Sequence, residues 1–85
     1  MTDRFDDLDP VAVATAAILT ATTGIGSASM VAGRIHVDYT TACRIMDALE
    51  SAGIVGPPIG GGIRAVLVDT EATAATRIAM WLTNR

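Results

Sequence analysis

Apolar residues along this chain fall into blocks with helical spacing, interrupted once by a stretch with the texture of paired strands. The first block, Val11 to Thr23, is rich in alanine and carries no charge. Its length and alanine content favour helix over strand despite the valines and threonines. Asp9-Pro10 ahead of it is a helix start. The aspartate can accept from the free amides of the first turn, and proline suits the first helical position. Gly24 and Gly26 end the block, and the GIGSAS run at 24–29 reads as a helix-to-helix turn. Ser27 caps a second, short helix to about Ile35, with Met30, Val31 and Ile35 as its buried side. His36, Val37 and Asp38 form a turn, and Asp38 caps a third helix. There Ala42, Ile45, Met46 and Leu49 follow i, i+3, i+4, i+7 and mark a core face. Thr40, Thr41, Arg44, Asp47 and Ser51 lie opposite. Gly53 stands where a left-handed cap belongs.

The pattern then changes. Ile54-Val55 opens a short strand, and Ile63 to Val68 is a return strand rich in β-formers. Gly56-Pro57-Pro58 and Gly60-Gly61-Gly62 between them predict a hairpin with a long, flexible loop. Thr70 caps a last helix to about Asn84, with Ala75, Ile78, Ala79 and Leu82 as its stripe and Met80 and Trp81 beside it. The order of three helices, a hairpin and a helix predicts a mainly α fold with a small β-hairpin. It is a winged helix-turn-helix with an extra C-terminal helix. The expected organisation is an acidic tail over 1–9, a winged-helix domain over 10–68 and a C-terminal helix over 69–85. That helix packs on the domain or forms a dimer contact.

Composition narrows this picture. The chain has 85 residues, 51% of them hydrophobic but only 4% aromatic. A domain this small buries a modest share of its surface, so aliphatic side chains or a second copy of the chain must supply the core. Cys43 is the only cysteine, which excludes an internal disulfide and fits a reducing cytoplasm. No apolar run approaches the roughly 20 residues of a membrane span, and the acidic start is unlike a signal peptide. The net charge of −3 is unevenly placed. Asp3, Asp6, Asp7 and Asp9 face Arg4 in the first nine residues, and the rest of the chain balances. Every basic side chain is arginine. The acidic tail, with Phe5 and Leu8, reads as a solvated end, or as a segment that covers the basic face.

Catalytic chemistry finds little support. His36 and Cys43 are the only nucleophile–base candidates, and no third group orients the histidine. One cysteine and one histidine cannot build a structural zinc site. The glycines at 60–62 lack the lysine of a phosphate-binding loop, because the chain contains none. No catalytic residue, metal or cofactor is expected. Trp81, Ile78 and Leu82 are candidates for a partner or dimer contact, since tryptophan favours interfaces; packing against the first helix is the alternative.

The run SASMVAGRIHVDYTTACRIMDALESAGIVGPPIGGGIRAVLV, from Ser27 to Val68, resembles the gamma domain of the FtsK/SpoIIIE DNA translocases. Its most specific part lies between Ala42 and Pro57, as RIMDALESAGIVGP. Tyr39 matches a family tyrosine, and Arg64 to Val68 match the strand that closes the wing. The resemblance implies a winged helix that reads short oriented sequences in chromosomal DNA. In full-length translocases it also implies contact with a site-specific recombinase. No motor segment lies in these residues, so ATP hydrolysis is not carried over.

The resemblance assigns double-stranded DNA contacts to Arg34, His36, Thr40, Thr41, Arg44 and Arg64. The family's basic residues ahead of helix three and its Asn-Arg pair are replaced here, the former by Ala32, Gly33, Arg34 and His36 and the latter by Thr40 and Thr41. Asp38 replaces a glycine and adds negative charge near a would-be phosphate. Each phosphate contact needs a cation, so few are available to one copy; a homodimer would double them. Arg44 has a second reading, as a solvated arginine paired with Asp47 or Glu50 across a helical turn. The leading expectation is a stand-alone, regulatory DNA-binding module. The alternative is a protein-interaction module, of phage or mobile-element type, that has lost its DNA face and targets a recombinase, a translocase or another host protein.

Overall fold

Each helix begins where a short polar side chain can take a free amide. In the computed structural model, which describes residues 5–84, Asp9 accepts from the Val11 amide at 3.1 Å and opens α1 (Pro10–Thr23). Ser27 accepts from Met30 at 3.3 Å ahead of α2 (Ala28–Ile35). Asp38 accepts from Thr41 at 2.7 Å ahead of α3 (Tyr39–Ser51). Thr70 accepts from Thr73 at 3.1 Å ahead of α4 (Glu71–Thr83). These side-chain oxygens replace the partners that first-turn amides lack. At the end of α3 the Ile54 amide reaches back to the Leu49 carbonyl at 2.9 Å, with Gly53 at φ 80° turning the chain toward the wing.

The sheet departs from the sequence pattern in two ways. Its strands are β1 (Gly26–Ser27), β2 (Val55–Gly60) and β3 (Ile63–Val66), ordered β1-β3-β2 and antiparallel throughout. First, the long loop expected between the wing strands is a two-residue turn. Gly61 and Gly62 sit at φ 61° and 76°, the left-handed pair that a tight hairpin needs. Strand β2 runs through Pro57 and Pro58 because it is an edge strand with shifted register there, where a missing amide does no harm. Second, the stretch at 24–29 is not only a turn. Gly26 pairs with Arg64, and a side chain at Gly26 would lie 2.4 Å from the Arg64 carbonyl oxygen. A glycine is required at that point by close approach of two backbones.

The core is aliphatic. Val13, Ala16 and Ala17 of α1 meet Val31 of α2, the expected face of α3, and Ile54, Val55 and Val68 around the wing. In α2, Met30 and Ile35 are only partly buried beside Val31. Helix α4 packs on α1 through Ala74 and Ile78, while Ala75 and Ala79 of the expected stripe are exposed. The acidic segment is also not a free end from Phe5 onward. Phe5 and Leu8 are 5% and 6% exposed and belong to the core, joined by a turn in which the Leu8 amide donates to the Phe5 carbonyl. Burying such a side chain contributes about 1.5–3 kcal/mol. Asp3 and Arg4 lie outside the described residues. No helix among the described residues is long and apolar enough to cross a membrane.

Candidate nucleic-acid interface

Helix α3 is amphipathic. Ala42, Ile45, Met46, Ala48 and Leu49 are buried, and this fixes which residues point away from the body. Tyr39 is 54% exposed and Thr40 is exposed, whereas Thr41 is half-buried. The Asp38 carboxylate is occupied as the helix cap. Hydrogen bonding from Thr41, side chain and backbone, holds it below its ordinary value of 3.8. Ahead of this turn, Arg34 and His36 are exposed, and His36 adopts the left-handed conformation (φ 60°) that ends α2. Among the described residues neither side chain makes a hydrogen bond or ion pair.

The wing is tied to α3. The Arg64 guanidinium, its side chain 9% exposed, donates to Asp47 and Glu50 at 2.7 Å each. Arg64 is therefore a clamp between β3 and the carboxylates of α3, and it presents no free charge. Asp47, one helical turn along, also acts on Arg44 by attraction of opposite charges. Tyr39, Cys43 and Met46 of α3 meet Pro58, Gly62 and Arg64 of the wing around a cavity of about 130 Å³. A hydrogen bond with the Cys43 thiol raises the Tyr39 phenol above its ordinary value of 10, so the hydroxyl keeps its proton. His36 does not line this cavity. Among the described residues no group of three or more His, Cys, Asp or Glu side chains could hold a metal ion.

Arg44 has a partner that helical spacing did not reveal. Its guanidinium donates to both oxygens of Asp7, 37 residues away, at 2.5 and 2.7 Å. This lowers the Asp7 carboxyl and raises the arginine. The Phe5-x-x-Leu8 spacing was the available signal, since it places two apolar side chains on one side of a turn and Asp7 beside them. At the other end, Ile78 is 4% exposed and belongs to the core. Trp81 is half-buried, packs against Phe5 in a tilted ring contact with centroids 5.8 Å apart, and donates to the Ser51 hydroxyl at 3.0 Å. Leu82 is partly buried against the core.

Three helices, a β-hairpin folded against the third, and a helix packed behind define a winged helix-turn-helix protein. The Ftsk gamma domain model matches residues 6–69. The chain belongs to the FtsK gamma domain family. Among its relatives are proteins named DNA translocase FtsK. That of Corynebacterium efficiens is 39% identical over 81% of this chain, that of Streptomyces coelicolor 44% over 81%, and that of Mycobacterium tuberculosis 37% over 92%. The chain spans 7–9% of the length of these relatives. No solved structure matches it.

Proposed function

We propose that this domain is a non-catalytic module that binds double-stranded DNA, with the amino-terminal half of α3 in the major groove and the wing against the backbone. The observation that carries the reading is the exposed first turn of α3, Tyr39 and Thr40, on a helix whose other side is buried in an FtsK gamma domain. The relatives' name, DNA translocase, supports it. A major groove admits one α-helix, and threonine hydroxyls bond either donors or acceptors on base edges. Arg34 and His36, just ahead of α3, serve as phosphate contacts. Arg44 is the next cation along the helix, and Arg64 acts indirectly by fixing the wing. The module's use is regulatory, marking a site or recruiting to it.

A second reading is favoured by the charge state of the face. Arg44 and Arg64 are both paired with carboxylates, and the wing ends in Ile59 and Ile63, 72% and 56% exposed. On this reading the surface docks a protein. A salt series of anisotropy titrations with a labelled mixed-sequence duplex separates the two. DNA binding predicts affinity that falls steeply with salt and a log–log slope about 0.9 smaller in magnitude for Arg34→Ala. Arg64→Ala should lower thermal stability and leave the slope unchanged. No binding by the wild type at low salt contradicts the DNA reading.

A further inference from the structure

Arg44 reaches the surface of α3, yet its guanidinium is already occupied by an anion of this chain. Asp7 meets it fork to fork, Nη1 on Oδ2 and Nη2 on Oδ1, with side-chain exposures of 39% for the arginine and 67% for the aspartate. Arginine engages a phosphate with the same bidentate geometry. Asp7 is held there by its neighbours more than by the ion pair. Phe5 and Leu8 on either side are buried, the Phe5 ring packs against Trp81, and Asp9 caps α1. Apolar anchors of this kind outweigh an exposed ion pair, which contributes little in water. The segment can stay docked while the Asp7 carboxylate alone swings away.

We infer that the Phe5–Asp9 segment is an intramolecular strap whose Asp7 competes with a DNA phosphate for Arg44, and so sets the affinity of α3 for the duplex. The inference rests on the DNA-binding reading. It explains why an acidic residue sits on an arginine of the exposed helix while the segment around it is pinned to the core. Arg64 is held by the α3 carboxylates Asp47 and Glu50, whereas the Asp7 carboxylate on Arg44 comes from the amino-terminal segment. The strap makes binding depend on an exchange of one anion for another at a single guanidinium.

The test uses the full chain and a labelled mixed-sequence duplex. Asp7→Asn, an exposed and mild change, should tighten binding about two- to fivefold and steepen the salt slope by roughly one phosphate contact. Asp69→Asn makes the same charge change at an exposed residue with no ion pair on Arg44 and should alter affinity less than twofold. On an Arg44→Ala background, Asp7→Asn should give no further gain. Equal effects of Asp7→Asn and Asp69→Asn, or a gain that persists without Arg44, overturns the strap and leaves the DNA reading standing. Absence of binding by every variant at low salt overturns the DNA reading and the strap with it.

Discussion

Thr20 is fully enclosed, yet its hydroxyl has no hydrogen-bond partner among the described residues. A buried hydroxyl without a partner costs roughly 1–3 kcal/mol in desolvation. Valine has nearly the same shape, so Thr20→Val should raise stability by about 1 kcal/mol or more, read as a shift in the denaturation midpoint at unchanged slope. A loss of stability would mean the hydroxyl is satisfied. The exposed carboxylates act in the opposite sense. Asp7 and Asp38 both titrate below 3.8 when folded, Asp7 chiefly through Arg44 and Asp38 through Thr41. Unfolded, they return to the ordinary value. Their contribution is therefore complete above 3.8 and is lost as pH falls through the lower, folded values. Asp38→Asn keeps the cap and removes one titration, so its stability should fall less steeply on acidification than that of the wild type. Parallel acid limbs would show that the cap is not coupled to pH.

At the scale of elements, the helices were legible because their signals are local. Asp9, Ser27, Asp38 and Thr70 each sit one residue ahead of a helix, and the apolar face of α3 needs only its own spacing. The sheet was legible only in part. Strand β1 consists of Gly26 and Ser27, and nothing within two residues announces a partner at 63–64. Gly26 could be read from sequence as a helix terminator, whereas its reason lies across the sheet. Gly26→Ala should therefore cost about 1–3 kcal/mol, the range for forced overpacking, because the Arg64 backbone must move. Gly33→Ala is the control, since a side chain there meets nothing within 4 Å. Equal stabilities for the two variants would deny the close approach.

The whole molecule shows why a residue-by-residue reading of charge was incomplete. Arg64, named as a DNA contact from the family pattern, is absorbed by Asp47 and Glu50, 17 and 14 residues away. Arg44 is met by Asp7 from the far end of the chain. Folding alone sets which arginines remain free, because separations of this length carry no periodicity. Ile78 shows the same limit, since it is buried where α4 packs on α1. What remains is a domain with a weakly charged face built around the start of α3. NMR titration of the isotopically labelled domain with duplex DNA tests that account most directly. Amide shifts should concentrate at residues 34–44 and at the wing tip, and reverse on addition of salt. Shifts confined to α4, or none at any ratio, would contradict it.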